Sequence, residues 1–419
     1  MRHFRPISFV SKRKEDLKMK ILVLNCGSSS LKYQLINMET QEVVASGKYE
    51  RIGEEEAFIT HKAQGKKVEI KKPAYDHKEA IGFTLSQLIN PEYQVIENLD
   101  EIEAIGHRVV HGGEIFKESA VIDDKVMQQI SECGEFAPLH NPAAVLGMEA
   151  CKKVMPGKPM VAVFDTTFHQ TMPKEKYVYP IPYEYYKKYG VRKYGAHGTS
   201  HMYVSQRLAE IENKNIEDLK IVTCHLGQGS SICAVNAGKS IDTSMGLTPL
   251  GGIPMVTRSG DLDPSVLTYL MKKERISAGE MEEILNKKSG VQGISGLAPD
   301  FRVIETAANE GNERAEIAME SFKYAVASYI AKYAVAMNGV DYIIFTGGIG
   351  ENQINIRKGI CEKLTFMGVE IDSEANNMRG EEKVISKPES KVKIYVIPTN
   401  EELMIAKETQ RLVGFMERR

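Results

Sequence analysis

A strand, a Gly/Ser turn and a second strand occur twice in this chain, once in each half. ILVLNCGSSSLKYQLI begins at Ile21 and IVTCHLGQGSSICAV at Ile221. Short apolar runs broken by glycine and serine read as hairpins of buried strands. The same unit repeated so far apart points to a duplicated architecture with two related domains facing one another. Strands at AIGHRVV and MVAVFD alternate with helices around HKEAIGFTLSQLI and NPAAVLGMEACKKV, while DYIIFTGGIGEN and KIYVIPTNEELMIA each run from strand into helix. Strands with interleaved helices argue for α/β domains. A long helix is expected near 313–338, where Phe322, Val326, Tyr329, Tyr333 and Met337 recur at helical spacing before Gly339. That stripe reads as core.

A length of 419 residues suits two or three domains. With 42% hydrophobic and 26% charged residues, there is enough apolar material for large cores. Lys plus Arg is 54 against 56 for Asp plus Glu, a net charge of −2, so no global field recruits nucleic acid or an anionic membrane. An anionic partner must therefore be held by local groups. No segment offers the roughly 18 uninterrupted apolar residues of a spanning helix. Residues 1–18, MRHFRPISFVSKRKEDLK, read as a basic extension without a signal-peptide core and are assigned no role. Cys26, Cys133, Cys151, Cys224, Cys233 and Cys361 form no CxxC pair and read as reduced thiols of a cytoplasmic protein.

NCGSSSLK, HLGQGSS, TGGIGEN and HGTSH read as turns at strand ends that expose N–H groups and hydroxyls, the means of holding phosphate without a large net charge. No stretch matches GxxxxGK[ST], and GGIGEN lacks the third glycine of the dinucleotide fingerprint. Another phosphate cradle is needed, and paired hairpins from two domains would supply one. HRVVH and HGTSH each space two histidines at i, i+4, but neither carries the glutamate of a zincin. His107, His111, His140 and His201 accordingly read as core or hydrogen-bonded histidines. Arg108 lies in an apolar strand and must meet an anion or surface water. Asp165 ends the run MVAVFD, where a strand terminus would aim it into a crevice. Arg258 by itself reads as a solvated loop charge. In PTNEEL, Thr399 and Glu402 are spaced as a capping box beside Glu401.

In chain order, LVLNCGSSSLKYQL, GHRVVHGG, APLHNP, VAVFDTTFHQTMP, YGAHGTSH, DTSMGLTPL, TRSGDLDP, FTGGIGEN and IPTNEELMIA together resemble the acetokinase family, of the acetate and sugar kinase/Hsc70/actin superfamily. The resemblance runs from Met19 to the final helix. It implies two duplicated, ribonuclease H-like α/β domains, residues 19–167 plus 402–419 and residues 168–401, the latter binding nucleotide, with a closable active-site cleft between them. It implies reversible transfer of the γ-phosphoryl group of ATP to acetate, giving acetyl phosphate and ADP. Mg²⁺, or Mn²⁺ as an alternative ion, is the implied cofactor. The implied setting is a cytoplasmic homodimer with no nucleic-acid or membrane partner.

Residue by residue, the resemblance implies that Asn25, Ser28, Ser30 and Lys32 meet phosphate and support the metal, with Glu401 and Asp165 helping to hold it. Arg108, Arg258, His197 and His140 would surround the transferring phosphoryl group and the carboxylate. Val110, Leu139 and Pro249 would line a pocket for the acyl methyl group. His225, Gly227, Gln228, Gly229, Asp300, Phe301, Arg302, Gly347, Gly348, Ile349, Gly350 and Asn352 would receive the nucleotide. A carboxylate is already a nucleophile at neutral pH, so Asp165 is assigned to metal and orientation rather than to proton removal.

Five departures bear on specificity. Ala196 replaces a frequent Phe, which would widen the acyl pocket, while Gln228, Gly251, Pro254 and Val256 depart from the usual residues on the donor side. The alternatives are a propionate or other short-chain carboxylate kinase, the same chemistry with pyrophosphate or another donor, and an actin-like structural nucleotide-binding protein.

Overall fold

The computed structural model describes residues 19–138 and 140–416. The basic extension 1–18 and Leu139 of the expected acyl pocket lie outside the described residues. The expected α/β organisation is observed as two mixed sheets.

The first sheet uses β1 (Lys20–Cys26), β2 (Ser30–Asn37), β3 (Glu42–Glu50), β4 (Phe58–Ala63), β5 (Lys66–Lys71), β6 (Ile102–Val109), β7 (Ala120–Val121) and β8 (Met160–Phe164), in the order β5-β4-β3-β2-β1-β6-β8-β7. The second uses β9 (Lys220–Leu226), β10 (Ser230–Asn236), β11 (Lys239–Thr243), β12 (Tyr342–Thr346), β13 (Lys383–Val384) and β14 (Lys393–Val396), in the order β11-β10-β9-β12-β14-β13. In each, an antiparallel meander reaches a central strand, β1 or β9. Two parallel strands follow, β6 and β8 or β12 and β14, and a short antiparallel strand closes the edge. The repeated hairpin is thus the visible part of a repeated sheet.

β8 and β12 are buried along their whole length, as parallel strands covered on both faces must be, and their composition is accordingly apolar. One cover of the first sheet is the final helix, Glu401–Met416. Leu403, Ile405, Ala406 and Val413 from it form one buried cluster with Ile21, Val23, Ala104, Val161 and Val163. The last described helix therefore packs on the sheet that holds the first described strand.

The long helix spans Glu313–Met337, starts on the side chain of Asn312, which accepts from Ala315 N, and stops where Asn338 turns left-handed before Gly339. Phe322, Val326, Tyr333 and Met337 are buried in the core of the second half; Tyr329 is half-buried and donates its hydroxyl to Asp261. All six cysteines are buried and unpaired. Among the described residues no helix is long and apolar enough to cross a membrane.

Two local expectations are corrected. HGTSH is no turn but the start of the helix Gly198–Glu212, with His197 as a left-handed residue at φ 56° before it. The capping box at PTNEEL does not form. Asn400 caps the final helix by accepting from Leu403 N at 3.0 Å, because the Thr399 hydroxyl is engaged 2.8 Å away by Ser200.

Candidate active site

β6 and β8 run parallel with Arg108 in register with Val163, so Arg108 and the residue following β8, Asp165, emerge at the same sheet edge. Arg108 donates from Nε to Asp165 Oδ1 at 3.0 Å and from Nη2 to Oδ2 at 2.7 Å. This bidentate pair is the anion that the apolar strand required. The Asp165 side chain is 2% exposed and that of Arg108 23%, so the fork is braced from the buried side and open to the cleft. Glu401, at the N-terminus of the final helix, lies 4.0 Å from Arg108 Nε. The Asp165 charge raises the Arg108 pKa, with Glu401 adding to it. Burial pushes the Glu401 carboxyl up, against the pull of Arg108 and Lys32. Asn25 and Lys32 are register partners across the first hairpin; between them Ser28 lies in the turn and Ser30 opens β2.

The second half meets this edge through Gly198. Its N–H donates to the Asp165 carbonyl at 2.8 Å, and a Cβ there would lie only 2.3 Å from that oxygen, so no other residue permits the approach. The contact sets His197 at the cleft beside the turn between β9 and β10. A Cβ on Gly229 would sit 3.2 Å from Arg258 Nη1 and 3.6 Å from His197 Nε2, which places guanidinium and imidazole around one point. Arg258 Nη1 also donates to the Pro249 carbonyl at 3.2 Å, and burial lowers the Arg258 pKa. Arg258 is therefore partly buried and directed inward, not a solvated loop charge. Burial pushes His197 well below the ordinary imidazole range, with His225, His201, Arg108 and Arg258 adding to it. His140 is lowered by burial, then by Arg108, with a smaller part from Arg258. Both arginines thus act on both imidazoles.

Behind His197 the polar groups are neutral. His225 stacks on it at 4.2 Å between ring centroids, and its Nδ1 lies 2.8 Å from Ser200 Oγ. Burial pushes His225 down to about 4. His107, His111 and His201 are buried, as expected of core histidines. His140 is not: at the start of the helix Asn141–Val154 the residue is exposed as a whole, its ring only partly withdrawn from water. Val110 and Pro249 are both half-buried near this edge. Ala196 is buried with Met245 and Met255, so two thioether side chains border the site where a larger ring is frequent.

A cleft of about 450 Å³ opens on the second sheet. Eight expected nucleotide residues line it together: Gly227, Gln228, Asp300, Phe301, Arg302, Gly348, Ile349 and Asn352. Gly347 and Gly350 lie buried under it. Gly347 has φ +76°, and a Cβ on it would meet the Leu226 carbonyl at 2.7 Å, so glycine alone seats the helix Gly347–Asn352 against β9. Asp300 accepts two bonds from the Arg302 guanidinium and a third from its backbone N–H, which hold its carboxyl down at about 2. Three lining residues had not been assigned: Val256, Gln353 and Arg379. Val256 had stood out only as a departure, and Arg379 carried no motif. It is brought there by the loop that the buried Arg357 holds through Asn376 and Met378 carbonyls at 2.9 Å.

The arrangement joins a fixed arginine fork, a second arginine, a neutral imidazole and a nucleotide-sized cleft. A profile of the acetokinase family matches residues 20–407. The acetate kinase of Thermoanaerobacterium thermosaccharolyticum is 60% identical over 94% of this chain and 99% of its own length. Among solved structures, acetate kinase from Porphyromonas gingivalis aligns with a TM-score of 0.91 at 48% identity, covering 94% of this chain and all of its own. A propionate kinase from Francisella tularensis aligns at 0.87 and 44% identity, over 94% and 99%.

Proposed function

The chain belongs to the acetokinase family, and on that premise we propose how its residues perform the reaction of an acetate kinase. The enzyme transfers a phosphoryl group to a carboxylate, with ATP as donor and acetate as acceptor. The observation that carries the arrangement is the Arg108–Asp165 fork at one sheet edge with Arg258 and His197 gathered around Gly229, beside a cleft of about 450 Å³.

The acetate carboxylate sits between the two guanidinium groups, its methyl against Val110 and Pro249. A carboxylate oxygen forms the new bond to the γ-phosphorus as the bond to the β,γ-bridging oxygen breaks, and ADP leaves with that electron pair. No proton is removed. Both Asp165 oxygens are occupied by Arg108, which suits bracing and not base catalysis. Charge spread over the equatorial oxygens is met by Arg108, Arg258 and His197, and such charge stabilisation with in-line positioning is what phosphoryl transfer chiefly requires. His140 faces the same space from the first half. Lys32, Ser28 and Ser30 receive the outer phosphates, while Gly227, Gln228, Gly229 and the GGIGEN helix receive the nucleotide, with His225 behind them.

The residues present fit a hard divalent cation. Glu401 has a largely buried carboxylate with no hydrogen bond among the described residues, its pKa raised by that burial, and Asn25, near the end of β1 on the sheet that the final helix covers, offers an amide oxygen. Glu401 and Asn25 would hold Mg²⁺ or Mn²⁺. Such an ion, when bound, supplies charge neutralisation of the outer phosphates. A cytoplasmic homodimer of two duplicated domains, 19–167 with the final helix and 168–401, completes the reading.

Ala196 and the 44%-identical propionate kinase favour a second reading in which longer acids also serve. One methylene in an apolar pocket discriminates by only about 1–3 kcal/mol. Trapping acyl phosphate with hydroxylamine, with acetate, propionate or butyrate against ATP, GTP or pyrophosphate, tests both. The highest kcat/KM is expected for acetate with ATP. Product with pyrophosphate alone would remove the nucleotide assignments and keep the acyl site.

A further inference from the structure

Three buried residues that touch neither the nucleotide cleft nor the arginines stand in line behind His197. His197 Nδ1 lies 2.9 Å from Ser231 Oγ, and the same oxygen lies 2.7 Å from His201 Nε2. His201 Nδ1 in turn lies 2.7 Å from Thr223 Oγ1. Ser231, His201 and Thr223 are all 0% exposed. His197 Nε2, by contrast, has no hydrogen-bond partner among the described residues and faces the point above Gly229 shared with Arg258. Burial keeps both imidazoles well below their ordinary pKa, so each is neutral and carries one ring proton.

Such a chain has two senses, since a neutral imidazole and a hydroxyl each bring one hydrogen. In one, Thr223 donates to His201 Nδ1, His201 Nε2–H donates to Ser231, and Ser231 donates to His197 Nδ1. His197 then carries its proton on Nε2, toward the cleft. In the other sense every bond is reversed, and His197 presents a bare lone pair. Thr223 decides between them. The alternative acceptor within reach of its hydroxyl is the Cys233 carbonyl at 3.5 Å, at the far limit of a hydrogen bond, against 2.7 Å to His201. The reversed sense leaves a buried hydroxyl hydrogen all but unsatisfied, which proteins avoid.

We infer that Thr223, acting through His201 and Ser231, holds His197 in the tautomer whose Nε2–H faces the transferring phosphoryl group. The three are positioning residues. The inference rests on the reading of His197 as a donor to that group, and its logic is that phosphoryl oxygens attract an N–H and repel a lone pair.

The test is Thr223→Val, which keeps shape and removes the hydroxyl, against Thr223→Ser, which keeps the hydroxyl and loses the methyl. ¹⁵N-histidine NMR of the full chain should show His197 protonated on Nε2 in the parent and in Thr223→Ser, and shifted toward Nδ1 in Thr223→Val. Thr223→Val should lower kcat about tenfold with the KM values for ATP and acetate little changed, while Thr223→Ser stays within about twofold. Ser231→Ala cuts the chain at another link and should also release the tautomer. Parent-like tautomer and kcat in Thr223→Val would overturn the inference, as would Thr223→Ser being the more impaired of the two, the mark of a packing role. A tautomer shift combined with normal kcat in His197→Ala would uphold the relay and remove His197 from the chemistry.

Discussion

The two hairpins that meet at the cleft share a topology and differ by one residue in the turn. Across the first, Cys26 pairs with Leu31 and Asn25 with Lys32; across the second, Leu226 pairs with Ser230 and His225 with Ser231. The shorter second turn puts Ser231 at the position that Lys32 holds in the first. Lys32 is exposed and acts on Glu401, whereas Ser231 is fully buried and bridges two imidazoles. The first frame therefore presents ions, Lys32, Arg108, Asp165 and Glu401, while the duplicate adds a single charge, Arg258, to neutral imidazoles backed by hydroxyls. Phosphoryl transfer uses both kinds: charges to gather phosphates and carboxylate, and fixed dipoles that need no counter-ion in the interior.

Removing either arginine of the site should cost most. Arg108→Ala is expected to reduce kcat by about 10³-fold in the acyl-phosphate assay, and Arg258→Ala by a similar factor. Near-normal turnover in Arg108→Ala would dissolve the contrast between the halves. Glu401→Ala should raise the metal concentration for half-maximal activity by about 10–100-fold, the range for a residue that holds or orients a metal ion. If a metal titration of that variant overlays the parent, Glu401 is only a helix-start residue.

The joint between the halves gives a smaller, structural effect. Gly198→Ala puts a methyl against the Asp165 carbonyl and should cost about 1–3 kcal/mol, read from urea unfolding. A value near zero would mean that helix and strand end can part without loss. The neutral side makes its own prediction against pH. His225 and His169 are each pushed by burial to about 4, and His201 is lowered too, so between that pH and about 6.5 the unfolded chain binds more protons than the folded one. Stability should be complete above about pH 6.5 and fall as the pH drops toward 4. A flat unfolding midpoint from pH 7 to 5 would contradict the burial of these rings as neutral groups.

Much of this was legible in the sequence because it is local. Apolar runs gave the strands, the stripe from Phe322 to Met337 gave the long helix, and five residues of the second-sheet cleft lie in two Gly-rich motifs, whereas Asp300, Phe301 and Arg302 were implied by the family resemblance alone. The failures share a physical cause, which is a side chain captured by a distant partner. Thr399 looks like a cap until Ser200 takes its hydroxyl, and Arg258 looks solvated until Pro249 and the turn at Gly229 surround it. Ser231 and Thr223 carry no local signal, since alternate positions on two paired strands give no hint of a histidine lodged between them. Arg379 reaches the cleft because the buried Arg357, about twenty residues before it, grips its loop by the Asn376 and Met378 carbonyls, a contact no local pattern announces.

The final helix has a consequence for the order of synthesis. It returns to β1, β6 and β8, and its first residue is Glu401. On a ribosome, the sheets, both arginines and the nucleotide cleft emerge before that residue does. A nascent chain that has reached only Asn400 holds the proposed nucleotide cleft but not the carboxylate beside Arg108. On the proposed roles, metal binding then waits for the helix that opens at Glu401, after the strands of both sheets have been made.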